Sequence, residues 1–340
     1  STRYEHGTFQ AMKTESPAQT DFILRLQGFT EALLTRRLKR RLKEKMKQQR
    51  RNVFLDWLFA ILWAASVVLV INQYFFQNYR IPSESMEKSL LIGDMIFVNK
   101  LSFGPELLPG VAKLNSPIKP QRGQIIVFEN PSYLSRGPAF TILQQFIYML
   151  SLTLVDIDRD ANGEQRVHYL IKRAVGFEGD RLRIKRGEVS IRPQGASSWF
   201  EEEELMRQLG LPYRAVRIVD QKSYELIEAV GKASALGEAG LPSDASLTSA
   251  QASYAYRDAF GYDMERVRQL RAINPSDPRV AAMDRRYSLG WYIAKGRIFP
   301  MGDNRDNSRD ARYFGPVSVS RVLGRALFIY WPFKRAGRIR

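Results

Sequence analysis

The chain has 340 residues, 44% of them hydrophobic, and contains no cysteine. This is enough apolar material for the core of one large or two modest domains, which excludes a disordered chain, and any exported part must fold without disulfides. The formal net charge of +17 leaves two anionic partners open, nucleic acid and the membrane surface.

The N-terminal region decides between these partners. Residues 36–51 hold ten Lys or Arg and the single acid Glu44, and residues 53–71 follow with Asp56 as their only charge. At about 1.5 Å per residue, this apolar segment is roughly 28 Å long, which matches the hydrocarbon core of a bilayer. A buried core helix rarely stays apolar on every face, and a signal peptide would end at small residues, so we predict a transmembrane helix over 53–75.

The position of the cations predicts the orientation of this helix. Lys and Arg collect on the cytoplasmic side of a span, so residues 1–52 should form a basic cytoplasmic segment and everything after the helix should lie outside. Tyr74, Phe75, Phe76 and Tyr79 then fall where interfacial aromatic side chains are expected. The basic run is explained as a topology signal beside membrane lipids, and we expect no nucleic acid as a partner.

Beyond the helix, the texture of the chain changes to short segments rich in Val, Ile, Phe and Tyr between Gly, Pro and Asn. Such segments predict antiparallel strands over 95–103, 124–130, 166–175, 181–193, 296–302 and 322–331. Residues 197–288 instead carry apolar side chains at helical spacing. We therefore predict a mainly β protein: an antiparallel β-sheet domain over 76–196 and 289–340, an inserted helical subdomain over 197–288, and one N-terminal transmembrane helix as the anchor.

Residues 138–157 are an apolar run with two glutamines, too short and polar for a second span. We favour a helix or hairpin in the membrane interface over a buried strand pair. Residues 158–163 (DRDANG) match the first half of a calcium-binding loop, but its twelfth position would be Tyr169 in place of the required Glu, which favours a hairpin turn. No metal and no cofactor is predicted.

Two serines, Ser83 and Ser85, lie in the turn-prone segment that follows the predicted span. A serine hydroxyl becomes a nucleophile only with a base and oxyanion donors nearby. His168 is the one histidine beyond the span, so a histidine triad has a single candidate. Lys172 is the stronger candidate, because strand alternation places it among apolar neighbours that would lower its pKa, although a solvent-facing edge lysine remains the alternative for the segment alone.

Three blocks in this order, RIPSESM, YLIKRAVGFEGDRLRI and MGDNRDNSRDARYFGPV, resemble type I signal peptidase, the bacterial leader peptidase family. The resemblance implies a membrane-bound serine endopeptidase that removes N-terminal signal peptides from exported precursors with a Ser-Lys dyad. It assigns Ser85 as the nucleophile and Lys172 as the general base. It also implies an oxyanion hole formed by the Ser83 hydroxyl and the Ser85 backbone N–H.

The third block supplies the supporting residues that the resemblance implies. Ser308 matches the residue that hydrogen-bonds the lysine amine, and Asp310 and Arg312 match the pair that braces the site. Asp303 and Arg305 lie in the same run, where structural roles are expected first.

The family implies signal-peptide-bearing precursors as substrates, membrane lipids as surroundings and a contact with the secretion translocon. It also implies a single-pass protein of the bacterial cytoplasmic (inner) membrane, with its N-terminus inside and its catalytic domain on the extracytoplasmic face. The chain departs from the family where Lys88 replaces a usual proline, which leaves the geometry of that turn open. The rival functions are a catalytically silent, membrane-anchored scaffold of the same fold and a self-cleaving Ser-Lys regulator.

Overall fold

The computed structural model describes residues 17–49, 53–108, 112–114, 116, 118–151, 155–164, 166–243 and 248–339. His6 and the first part of the predicted cytoplasmic segment lie outside the described residues. The chain divides into two compact units, Ser1–Ala65 and Ser66–Arg340.

Two long helices begin the described chain, α1 (Pro17–Gln49) and α2 (Val53–Tyr74). Helix α2 is long and apolar enough to cross a membrane, and it is the one such helix in the part of the chain that the structure describes. Its side chains are exposed on successive turns, as at Phe54 and Trp63. An apolar helix without a buried face is typical of a membrane span and not of a soluble core. The structure thus contains a helix from Val53 to Tyr74 where a span over 53–75 was predicted, and the crossing itself stays a prediction.

The second unit is built on antiparallel sheets. Its strands are β1 (Phe76–Arg80), β2 (Met95–Asn99), β3 (Glu106–Leu108), β4 (Ala112–Lys113), β5 (Ile125–Glu129), β6 (Tyr169–Phe177), β7 (Arg181–Lys185), β8 (Glu188–Arg192), β9 (Phe200–Glu201), β10 (Trp291–Tyr292), β11 (Arg297–Met301), β12 (Val317–Ser318), β13 (Val322–Trp331) and β14 (Gly337–Arg338). The main sheet has the order β1-β2-β13-β5-β6-β11-β12, with β14 beside β13; a second sheet has the order β10-β7-β8-β9, and β3 pairs with β4.

Helices occupy most of the remaining second unit. They are α3 (Pro138–Leu150), α4 (Glu202–Gln208), α5 (Tyr224–Glu238), α6 (Ser249–Ala255), α7 (Ala259–Ile273), α8 (Pro278–Leu289) and α9 (Ala311–Phe314). The predicted antiparallel β architecture is confirmed, with local corrections. The strand predicted over 95–103 ends at Asn99, and residues 200–201, predicted as helical, pair with β8 in the second sheet.

The core of the main sheet lies on both faces of β5, the strand next to β6. Strand β5 is apolar at four successive positions, and its side chains enter a different cluster on each face: Ile125 and Val127 on one side, Ile126 and Phe128 on the other. A strand buried on both faces lies inside a sheet, and β5 indeed lies between β13 and β6. Its pairing register places Lys172 of β6 opposite Ile126.

Two expectations about apolar segments need correction. Tyr79 does not lie at a membrane interface, because it belongs to β1 and is buried in the core. Residues 138–150 form a helix, so the strand-pair alternative is wrong for this segment. Helix α3 buries Gln144 and Gln145, and its exposed large side chains are Ile142, Leu143, Phe146 and Leu150.

The segment 158–163 forms a tight turn ahead of β6, as predicted. The Asp160 carboxylate accepts hydrogen bonds from the backbone N–H groups of Asn162 and Glu164, and Gly163 has a φ of 80°. Asp158 is fully buried and forms ion pairs with Arg136 and Arg166. It also lies 2.9 Å from His168 Nε2, although burial lowers the pKa of His168 and favours the neutral ring. Its carboxylate is therefore already engaged by cationic side chains.

Candidate active site

Ser85 lies in a single 3-10 turn, Glu84–Met86, that leaves the main sheet after β1. The turn is anchored by the buried Met86 side chain and by a hydrogen bond of 3.1 Å from the Asn304 N–H to the Ser85 carbonyl. Ser83 precedes the turn in extended conformation, with its Oγ 3.3 Å from Ser85 Oγ. The first N–H groups of a helical turn have no partner within it, so the Ser85 N–H is not used by the turn itself.

Lys172 reaches the same point from β6. Its Nζ lies 2.5 Å from Ser85 Oγ, although the two residues are 87 positions apart in the sequence. The side chain is 4% exposed. Burial lowers the pKa of Lys172 to about 8, against the opposing fields of Asp310 and Asp303. A substantial fraction of the amine is therefore neutral, and able to accept a proton, in mildly basic solution.

Ser308 is the predicted residue whose contact differs from expectation. Its Oγ is buried and has no hydrogen-bond partner among the described residues, so the hydrogen bond to the Lys172 amine is not made in this structure. Ser308 nevertheless packs against Gly302, next to the Ser85 carbonyl. A methyl group added to Gly302 would collide with the Ser308 side chain and approach the Ser85 carbonyl oxygen to 2.6 Å.

Asp310 and Arg312 form a buried ion pair beneath this point, with Arg312 Nε 2.9 Å from Asp310 Oδ1. The Asp310 carboxylate also accepts a hydrogen bond from the Gly302 N–H, and Arg312 donates to the carbonyls of Arg305 and Ser308. Burial raises the pKa of Asp310, but Arg312 outweighs it and holds the pKa below the usual value. The pair therefore fixes both ends of the 302–308 loop.

Asp303 and Arg305 bind partners outside the predicted set. Asp303 is bound at both oxygens by Arg173, at 2.7 Å each, and its Oδ2 also accepts a hydrogen bond of 2.6 Å from Ser89. Arg305 makes two hydrogen bonds to the carboxylate of Glu202, at the start of α4. Both acids and both arginines are almost completely buried. These two charge pairs tie the loop to β6 and to the helical segment.

Comparison with known proteins places the chain in a family. A model of the family described as signal peptidase, peptidase S26, matches residues 54–331, which is most of the chain. The chain belongs to this family.

Curated relatives carry the name signal peptidase I. The protein of Haemophilus influenzae is 27% identical over 284 residues, which cover 83% of this chain and 70% of the relative. The protein of Aquifex aeolicus is 27% identical over 292 residues, covering 82% and 83%. The protein of Pseudomonas aeruginosa is 26% identical over 278 residues, covering 78% and 69%.

Lys88 stands where the family pattern usually has a proline. Its φ is 74°, in the left-handed region. A proline, whose ring holds φ near −65°, cannot adopt that conformation, so the turn after Met86 must differ locally from turns with proline at this position. The neighbouring Ser89 is still held in place by Asp303 and Arg173.

Sequence reasoning missed Ser89, Arg173 and Glu202 as parts of the site. A signal existed for Arg173, because a charged residue in the middle of an apolar strand needs a buried partner if it faces the interior. Glu202 had no comparable signal. It lies among four consecutive acids, of which only this one is buried and paired with Arg305.

Gly302 provides a sensitive test of the packing around the two serines. We expect Gly302→Ala to lower turnover by about 100-fold or more, because the new methyl group must displace Ser308 or the Ser85 carbonyl, and small misplacements of reacting groups are costly. Gly237→Ala is the matched control, since a methyl group there meets nothing within 4 Å. Equal activity of the two variants would contradict the tight packing at Gly302.

Proposed function

We propose that Ser85 and Lys172 form the catalytic dyad of a serine endopeptidase that removes signal peptides from exported precursors. Membership of the signal peptidase family makes the protein a peptidase of this class, and similarity to proteins named signal peptidase I supports the substrate. The observation that carries the dyad is the 2.5 Å contact between Ser85 Oγ and the buried Lys172 amine.

The reaction follows from the positions of these groups. Neutral Lys172 takes the Ser85 hydroxyl proton as Oγ attacks the scissile carbonyl, and the resulting ammonium returns a proton to the leaving amine. The Ser83 hydroxyl and the Ser85 N–H stabilise the tetrahedral oxyanion. Water, deprotonated by the same amine, then hydrolyses the acyl-enzyme on Ser85 and regenerates the serine.

The surrounding charges have supporting roles in this proposal. Asp310 and Arg312 hold the loop that carries Ser308, and Ser308 contributes a hydroxyl beside the amine when substrate displaces solvent. Asp303 and Arg305 act structurally: Asp303 holds the same loop against β6 through Arg173, and Arg305 holds it against α4 through Glu202. A catalytically silent scaffold would gain nothing from an amine buried against a serine hydroxyl, since burial of an ionisable group costs stability.

The dependence of cleavage on pH tests the proposal. The base must be neutral, so kcat/KM for a labelled precursor cleaved by the detergent-solubilised protein should rise as the pH passes through about 8 and level off above about pH 9. An unburied lysine would instead give a rise near its ordinary pKa of about 10.4. Ser85→Ala is the control for contaminating peptidases. Cleavage that does not change with pH between about 6 and about 10 would contradict a lysine base.

We also propose that α2 spans the bacterial inner membrane once, with residues 1–52 inside and the peptidase outside. The cations of residues 36–51 support this orientation.

Helix α3 would lie in the interface and contact lipid through Ile142, Leu143, Phe146 and Leu150. The half-exposed Arg136 lies beside it and would face anionic headgroups. A contact with the translocon stays a prediction.

Protease digestion of sealed inverted membrane vesicles tests the orientation of α2. In such vesicles the peptidase domain should be protected, and its digestion would exclude the proposed orientation.

We further propose that residues 197–288 act as an inserted helical subdomain of the peptidase domain formed by 76–196 and 289–340. Two contacts support a positioning role for it. Glu202 pairs with Arg305, and Val216 exchanges backbone hydrogen bonds of 2.7 and 3.0 Å with Asp303 and Arg305. The insert would thus hold the loop that carries Ser308 and contacts Ser85.

A further inference from the structure

A cleft of about 760 Å³ opens between the 306–309 loop and the helical segment. Its lining includes Ile218, Tyr256, Arg257, Asp306, Ser308 and Arg309. Neither the family pattern nor the dyad assigns a role to this cleft, whose far wall comes from the segment around α6 and α7.

The lining of the cleft contains two arginines, Arg257 and Arg309, and one acid. Its acid, Asp306, is already neutralised, because one carboxylate oxygen lies 2.8 Å from Arg217 Nε and the other accepts hydrogen bonds from the backbone N–H groups of Ile218 and Val219. Arg257 and Arg309 are exposed and form no ion pair with any described residue. Two cationic side chains therefore remain available to an anionic ligand.

One wall of the cleft is formed by the loop that packs against the segment of the proposed nucleophile. Ser308, with its buried and unpartnered Oγ, lines the cleft and lies against Gly302 together with the Ser85 carbonyl. Asn307, also in the lining, donates a hydrogen bond of 3.1 Å to Glu84, the residue before Ser85. A peptide bound at Ser85 can thus continue into the cleft.

The chemistry of a precursor identifies which part of the peptide enters. The residues before the cut are small and apolar and follow a hydrophobic segment, so they carry no anionic group that an arginine could bind. The residues after the cut begin the mature protein and are free to be charged. We propose that the cleft binds the first residues of the mature segment and favours acidic side chains there through Arg257 and Arg309. This inference rests on the proposed peptidase function.

The test compares two precursors that are identical up to the cut and carry either Asp-Glu or Asn-Gln in the first mature residues. We expect the full-length, detergent-solubilised protein to cleave the acidic precursor with a kcat/KM about tenfold higher at low salt, since two partly exposed ion pairs contribute. The ratio should fall as salt screens the charges. It should approach one in the Arg257→Gln/Arg309→Gln double variant.

Charge reversal and a matched arginine complete the design. Arg257→Glu/Arg309→Glu should invert the preference toward a precursor with Lys-Lys after the cut, an outcome that a merely structural role would not produce. Arg279→Gln, an exposed arginine of α8 outside the cleft, should keep the wild-type ratio. Equal rates for both precursors in the wild type, or a preference that survives in the double variant, would overturn the inference. Failure to cleave even the neutral precursor would instead contradict the proposed function.

Discussion

Lys172→Met should lower the turnover of a secretory precursor by about 10⁴-fold or more, with little change in the amount of folded protein. Methionine keeps most of the length of the lysine side chain and suits a buried site, but it cannot accept the Ser85 proton. The nucleophile is then left as a neutral hydroxyl with no base in contact, since Lys172 Nζ is the group 2.5 Å from its Oγ. Cleavage of a labelled precursor in detergent measures the loss.

Two further variants make this result specific. Lys185→Met changes an exposed lysine of β7 and should leave turnover unchanged. The double variant Ser85→Ala/Lys172→Met should be no slower than either single variant, because groups that act as a unit do not lose activity additively. Near wild-type cleavage by folded Lys172→Met protein would exclude the dyad, and additive losses would mean that the two residues act in separate steps.

Arg312→Met should destabilise the peptidase domain by about 3 to 5 kcal/mol, which is the usual cost of leaving a buried charge without its partner. Asp310 would remain buried without the arginine that pairs with it, and the carbonyls of Arg305 and Ser308 would each lose a donor. The free energy of unfolding can be measured by urea denaturation of the solubilised protein followed by tryptophan fluorescence.

The matched control for this prediction is Arg321→Met. Arg321 is half exposed and lies 3.9 Å from Glu129, so its loss should cost less than about 1 kcal/mol. If the two variants unfold at the same urea concentration, the buried pair does not hold the 302–308 loop, and the fixed position of Ser308 needs another explanation.

Much of the architecture could be predicted because it follows from local patterns. The apolar run after a block of cations predicts α2, and the richness in Val, Ile, Phe and Tyr predicts β5 and β6 within one to three residues. The boundaries that failed are those that tertiary contacts set. Phe200 and Glu201 became a strand because β8 offers its edge, and Tyr79 is buried because β1 pairs along β2.

Sequence patterns therefore predicted the long apolar helix α2 and the antiparallel β fold, and together with the family resemblance they selected Ser85 and Lys172 as the candidate pair. Only the tertiary structure decided which buried charges meet. Arg173 binds Asp303 across 130 positions and Arg305 binds Glu202 across 103. Among the described residues, the Ser308 hydroxyl has no hydrogen-bond partner. The physical reason is that hydropathy and periodicity depend on neighbours in the chain, whereas the partner of a buried charge depends on which distant side chains the packed sheets and helices bring within hydrogen-bonding distance.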